Sequence, residues 1–399
     1  MDFADHHSAG HSPDRPLEVS ISMKNYRRDF SIFQHTHYIN SCSYGALSDQ
    51  VEAAYGEYLN CRRTQGADWM YWCEIHEDVR SRFAALVGAK ADEIAVTTSA
   101  SASLSSLISA LDFSGPRNRV VTTDQAFPTE AQNWHAQSRR HADVVHARET
   151  DDGQLDLAHL AALVNENTLI VAVPLVCYRH GALNDIAAIT KIAHDAGALM
   201  LVDGYQGLGA VPFDVRALDV DFLIGGALKY LLGSAGIGYL YVRETLIKNL
   251  YPAQTGWFAQ ADIHAMKIHG NEPAPNARRF EQGTPSVPAL YAAKAGLDYM
   301  LRVGVQNTRD HVQGLNRALK DGVRALGGTL TCDLDDNAQG PMVAIKSTDD
   351  HALVAALQDD KVVTSCRDGN LRISAHFYND MSDIEAVLQA LEKHKALLA

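Results

Sequence analysis

From residue 49 to about residue 230, short unbroken apolar runs alternate with longer stretches in which apolar positions recur every three or four residues. Runs of the first kind predict buried strands, and stretches of the second kind predict helices laid over them. The strand-like runs are residues 93–98, 119–123, 169–176, 198–202 and 221–224. The helix-like stretches are residues 49–63, 74–87, 103–111, 129–140, 157–164 and 185–196. Strand, helix, strand with short connections predicts an α/β fold: a large domain with a mainly parallel sheet. After about Pro288 the rhythm changes. Two long helices (288–303 and 308–326) lead to a strand-like run at 342–346, a helix from Asp349, strand-like runs at 362–365 and 371–374, and a last helix whose start has Ser382 and Glu385 at capping-box spacing. This predicts a smaller α+β C-terminal domain over residues 288–399, following a large domain over 21–287. Residues 1–20, with His6, His7, His11 and few apolar positions, read as a disordered tail with nothing to fix a metal site.

Composition narrows the function classes. The 399 residues are 46% hydrophobic and 21% charged, ordinary values for a globular chain of this size. A net charge of −13 argues against nucleic acid and against anionic membrane surfaces as partners. Six cysteines (42, 61, 73, 177, 332, 366) are scattered without a Cys-x-x-Cys pair, so no metal site and no disulfide framework is expected. No apolar run reaches membrane-spanning length and the N-terminus lacks signal-peptide order, which makes the cytoplasm the expected location.

Two charges stand where chance rarely places them. Asp203 closes the apolar run in Leu199-Met-Leu-Val-Asp-Gly-Tyr-Gln, and Lys229 follows the next one, in Gly225-Gly-Ala-Leu-Lys-Tyr. At the ends of neighbouring parallel strands they would meet in the crevice where open α/β sheets bind ligands. That pairing suits pyridoxal phosphate, the amine forming a Schiff base and the carboxylate keeping the pyridine nitrogen protonated. Thr97-Thr-Ser-Ala-Ser-Ala-Ser follows a strand and opens a helix. Serine N-capping alone explains such a run. Beside Lys229 and Asp203, however, Ser99, Ala100 and Ser101 read as a cradle of backbone N–H groups for the phosphate.

Asp203-x-x-Gln206, the lysine after a strand, and Gly233-Ser-Ala-Gly-Ile-Gly-Tyr-Leu-Tyr resemble the class V aminotransferase family of pyridoxal-phosphate enzymes with fold type I. The resemblance runs from about Tyr38 to the last helix, and is nearest to kynureninase-like and isopenicillin N epimerase-like members, with cysteine desulfurases also similar. It implies that Phe127, in Phe127-Pro-Thr129-Glu, stacks on the cofactor where desulfurases use histidine, with Thr129 and Gln206 among the cofactor ligands. Trp257, in Gly256-Trp-Phe, and Thr284, in Phe280-Glu-Gln-Gly-Thr-Pro, resemble phosphate ligands of the family. The Thr284 loop comes from the partner subunit there, which implies a homodimer with shared active sites. Arg372 matches the family's carboxylate-binding arginine, whose fork holds an α-carboxylate bidentately.

Departures from the pattern shape the functional expectation. Leu228 replaces the histidine or tyrosine that relatives carry before the lysine, and Tyr178 stands where desulfurases place an asparagine beside the substrate. Cys366 lies six residues before Arg372, the wrong place for a desulfurase's mobile nucleophile. Tyr44 and His135 are candidates to face the substrate or to pack, while His376 and Tyr378 read as structural residues. The resemblance thus implies an enzyme that acts on an α-amino acid through a cofactor-bound carbanion. Side-chain cleavage or elimination, including at a carbon–sulfur bond, is the favoured outcome. Transamination to a keto acid is the alternative, and a non-catalytic dimeric binding protein on the same fold is a third reading, against which the intact Lys229, Asp203 and Arg372 argue.

Overall fold

The computed structural model describes Met23 and residues 26–399, so the tail expected over residues 1–20 lies outside the described residues. Seven strands build the central sheet: β2 (Ile94–Thr97), β3 (Arg119–Thr123), β4 (Asp143–Ala147), β5 (Thr168–Pro174), β6 (Leu199–Asp203), β7 (Phe222–Gly226) and β8 (Gly238–Val242). A short strand, β1 (His37–Tyr38), precedes them. The spatial order is β2-β8-β7-β6-β5-β3-β4, and only β8 runs against the others, so the sheet is mainly parallel as expected. β2, β7 and β8 are buried at every position, because helices cover both faces of the sheet. Two apolar clusters fill those faces, one around Val121, Val171, Val202 and Leu223, the other around Leu104, Leu107, Leu201 and Phe222.

The order changes direction between β3 and β5: from β3 the chain moves outward to β4, and from β5 it moves the other way to β6 and β7. Loops leaving the carboxyl ends of strands part at such a point and open a crevice. The segments that leave β3, β5, β6 and β7 carry Phe127, Tyr178, Gln206 and Lys229.

A second, antiparallel sheet has the order β11 (Ser365–Arg367), β12 (Asn370–Ser374), β9 (Met342–Lys346). Helices Val305–Ala325, Asp350–Asp359 and Met381–Lys393 pack on it around Leu315, Leu319, Ile345, Leu353, Ile373 and Val387. β1 pairs in parallel with β10 (Val362–Val363), and Asn40 bridges Ser374. The segment around residues 37–46 is thereby pinned to the C-terminal part and carried past Lys229.

Besides β4, which the sequence pattern did not predict, three local features differ from the sequence expectation. The helix expected from residue 74 begins at Trp69, because Asp68 caps it by accepting the Tyr71 N–H. The last helix is capped by Asp380 with Asp383, in place of Ser382 with Glu385. Asp383 is buried, accepts the Asp380 N–H at 3.1 Å and is paired with Arg27, whereas the Ser382 hydroxyl donates to Asp380. The run at 362–365 splits in two: Val362–Val363 pairs with β1, and the chain turns through Asp368 and Gly369, both at positive φ, to pair β11 with β12.

Candidate active site

A cavity of about 310 Å³ opens at the crevice, and nine of the sequence-derived site residues line it together: Ser99, Ala100, Ser101, Phe127, Thr129, Tyr178, Asp203, Gln206 and Lys229. Ser99 caps the helix Ala100–Ser109 by accepting the Ala102 N–H at 3.0 Å, so the plain capping role is real. The helix start nonetheless stands at the cavity, since Ser99, Ala100 and Ser101 all line it. Gly238 makes this approach possible. A Cβ there would stand 2.2 Å from the Ser99 carbonyl carbon, so only glycine lets β8 pass under the helix start.

Asp203 ends β6 and is buried, and its Oδ1 accepts the Tyr205 N–H at 2.9 Å. Burial raises the Asp203 carboxyl above its ordinary range, with the Tyr205 N–H and Lys229 pulling the other way. Lys229 lies three residues beyond β7. Burial pulls its ammonium down to about 8, assisted by Arg372 and Arg367 and opposed by Cys42 and Asp203. Its Nζ stands 4.7 Å from the centre of the Tyr205 ring and 5.9 Å from that of Phe127. Phe127 in turn meets Tyr178 edge to face at 5.0 Å.

Two buried atoms in this wall have no hydrogen-bond partner among the described residues. Gln206 spends its amide N–H on the Cys42 carbonyl at 3.2 Å and leaves Oε1 free. Glu130 reaches the Thr122 hydroxyl at 3.4 Å through Oε1 and leaves Oε2 free. Unsatisfied buried polar atoms are costly, and grouped in one cavity they point to a polar ligand. Burial, with the neighbouring Asp203 charge, pushes the Glu130 carboxyl up to about 8. Sequence reasoning missed Glu130. Its one signal was an acid three positions after Phe127, on a helix start where acids are common for other reasons.

Arg372 is outside the cavity lining but beside it, 4% exposed. It donates to the Tyr178 carbonyl at 2.9 Å and to the Ser365 hydroxyl at 3.0 Å, and its Nε–H has no partner. Among the described residues no carboxylate pairs with it, although a buried guanidinium calls for one. Tyr44 is not among the residues lining the cavity; its hydroxyl accepts the Ala235 N–H at 3.1 Å. Trp257 and Thr284 are not brought to this cavity by the single chain. Trp257 packs on Trp69 at 6.0 Å and Thr284 is exposed. His376 and Tyr378 are packing residues as expected: His376 Nε2 meets the Tyr230 carbonyl at 2.9 Å, and the Tyr378 hydroxyl binds Ser41 at 2.7 Å. His135 stacks on His146, with Nε2 atoms 2.9 Å apart, away from the cavity. Leu228 lines the cavity without a polar role, and its carbonyl accepts the Gly45 N–H at 2.8 Å.

The residue set fits pyridoxal phosphate: a helix N-terminus at one wall, a buried carboxylate and a free amide oxygen at another, an aromatic face, and an amine of lowered pKa. Comparison with known proteins gives the same picture. Residues 46–387 match the family described as aminotransferase class-V. The chain is 34% identical to the uncharacterized aminotransferase YcbU of Bacillus subtilis (strain 168), over 92% of this chain and 97% of that one. It is 24% identical to the kynureninase of Geobacillus thermodenitrificans (strain NG80-2), over 95% and 93% respectively. Its fold superposes on the apo structure of a cysteine desulfurase from Thermococcus onnurineus NA1 with a TM-score of 0.84 at 23% identity, covering 94% of this chain and 98% of that one.

Proposed function

The chain belongs to the class-V aminotransferase family of pyridoxal-phosphate enzymes, and on that premise we propose that it cleaves or eliminates the side chain of an α-amino acid. The observation that carries the reading is Arg372, a buried guanidinium without an anion, beside the cavity that Lys229 lines. An α-carboxylate would supply the missing charge in a bidentate pair.

Each residue then has a role. Ser99, Ala100, Ser101 and Thr129 would hold the phosphate, Gln206 would accept a hydrogen bond through Oε1, and Phe127 would cover the ring face. Bound pyridoxal phosphate supplies an electron sink for charge that develops at Cα. Asp203 would hold a proton at the pyridine nitrogen, and its burial would strengthen that interaction. As a free amine, Lys229 would take the Cα proton; burial lowers its pKa to about 8, so about half of it is neutral at pH 8 and able to do so. Among the described residues no thiol lines the cavity, which favours cleavage without a persulfide. A second copy of the chain would bring Trp257 and Thr284 to its partner's site. The exposed Trp69, Met70 and Tyr71 near Trp257 support such a homodimer.

Transamination is the second reading, favoured by the 34%-identical relative that carries the name aminotransferase. Product analysis with an amino-acid panel separates the two. Continuous turnover without any keto-acid acceptor supports cleavage. A single stoichiometric turnover that resumes only when a keto acid is added replaces it with transamination. Among the described residues no helix is long and apolar enough to cross a membrane.

A further inference from the structure

Away from the cavity, the fold gathers side chains that are far apart in sequence. Glu149 follows β4, Cys177 and His180 lie in the loop after β5, and Cys332 precedes β9. The carboxylate oxygen of Glu149, the sulfur of Cys177 and a ring nitrogen of His180 all lie within 4.8 Å of one another. Cys332 comes up against the same ring. Gly153, at φ +80°, leaves the space it fills: a Cβ there would stand 2.2 Å from Cys332 Sγ and 3.5 Å from His180 Cε1. Cys177, His180 and Cys332 are buried. The scattered spacing that made a metal site unexpected from the sequence therefore says nothing about the folded chain.

We propose that Glu149, Cys177 and His180, with Cys332 as the fourth donor, bind a zinc-class divalent ion that ties the loop after β5 to the C-terminal part. One carboxylate, one imidazole and two thiolates make a tetrahedral set of the kind such ions take. The surroundings supply what a metal centre also needs. Arg179 donates to Glu149 Oε1 at 2.5 Å, an outer contact that orients the carboxylate. A cavity of about 180 Å³, lined by Glu149, His180 and Cys332 among others, connects the cluster to solvent. Without the ion, His180 Nε2 faces Glu149 at 3.1 Å and Nδ1 faces the Ala182 N–H at a longer 3.3 Å. Binding moves the ring proton from Nε2 to Nδ1 and gives up that longer contact, while the two thiol protons leave to solvent.

The site bears on the active centre through one residue. Tyr178 lies between Cys177 and His180, and its carbonyl holds Arg372. The test uses the full chain with its cofactor bound and its thiols reduced. After treatment with a chelator it is titrated with cobalt(II), and thiolate-to-metal charge transfer is followed by absorbance. The expected result is one cobalt per chain, displaced by zinc and lost in Cys177→Ser. Cys332→Ser and Glu149→Gln, at less buried positions, should each weaken binding at least tenfold, and they carry the test where Cys177→Ser does not fold. A second group, Asp350, His351 and Cys366, also lies within 4.8 Å and is the internal control. Absence of a charge-transfer band, or a band that survives all three variants and disappears in Cys366→Ser, overturns the proposal.

Discussion

Glu130 and Asp203 are two buried carboxyl groups in the wall of one cavity, and the charge on Asp203 helps to keep the proton on Glu130. Like charges in a dry site cannot both ionise at ordinary pH, so one acid is held neutral. Lys229 lies on the side of Asp203, which makes Asp203 the one that carries charge.

A pH dependence of stability follows in the cofactor-free protein. Glu130 has a folded pKa raised from its ordinary value to about 8, so its contribution is fully present below the unfolded value and is lost as pH rises through 8. Urea midpoints of the wild type and of Glu130→Gln, measured from pH 5 to pH 9, should diverge: the wild type loses ground to the variant as pH rises across that window. Parallel curves would mean that Glu130 is ionised throughout.

Lys229→Ala should lose the covalent link to the cofactor while remaining folded. Borohydride reduction followed by peptide mass analysis should place the cofactor on the peptide containing residue 229 in the wild type, and on no peptide in the variant. Loss of the proton-accepting amine should slow turnover by roughly two to four orders of magnitude. Undiminished turnover in the variant would remove the basis of the functional reading.

Asp203→Asn should keep the covalent link and lose rate, because a neutral amide cannot hold a proton on the pyridine nitrogen. Removing one preorganised charge from a water-poor site costs about 3–5 kcal/mol of transition-state stabilisation, or roughly two to four orders of magnitude in kcat. The cofactor absorbance should also become more sensitive to pH, since its ring nitrogen then titrates without a counter-charge. A kcat within about twofold of wild type would transfer the role to Glu130.

The strand ends that carry Asp203 and Lys229 were legible in the sequence because both adjoin unbroken apolar runs, and a buried parallel strand has few other patterns. β4 escaped notice because Asp143–Ala147 is an edge strand, exposed to half-buried over its first four positions, which mixes polar and apolar residues. Glu130 escaped for a different reason. Its meaning lies in what surrounds it, namely Thr122 at the end of one strand and Asp203 at the end of another. Periodicity reports which face a residue turns inward and carries no information on which distant acid it meets there. Trp257 and Thr284 show the same limit one level up, because the single chain leaves them apart from the cavity they were matched to.

Cys366 and Arg372 separate this chain from enzymes that take sulfur onto a thiol. Across the hairpin Ser365 pairs with Arg372 and Cys366 pairs with Leu371, so the thiol leaves the sheet on the face opposite the guanidinium. It meets His351 at 3.7 Å there, and burial with Asp350 nearby raises its pKa, the reverse of what a nucleophile needs. Cys366→Ser should therefore leave kcat and KM within about twofold of wild type. Arg372→Ala removes a charge-assisted pair worth about 1.5–3 kcal/mol, so KM for any α-amino acid should rise by roughly 10- to 150-fold, with Arg372→Lys recovering part of the loss. Both variants are to be measured with whichever amino acid turns over. Inactivity of the serine variant alongside an unaffected alanine variant would return a persulfide mechanism to first place, and would require the hairpin to slip by one residue in solution so that the thiol faces the cavity.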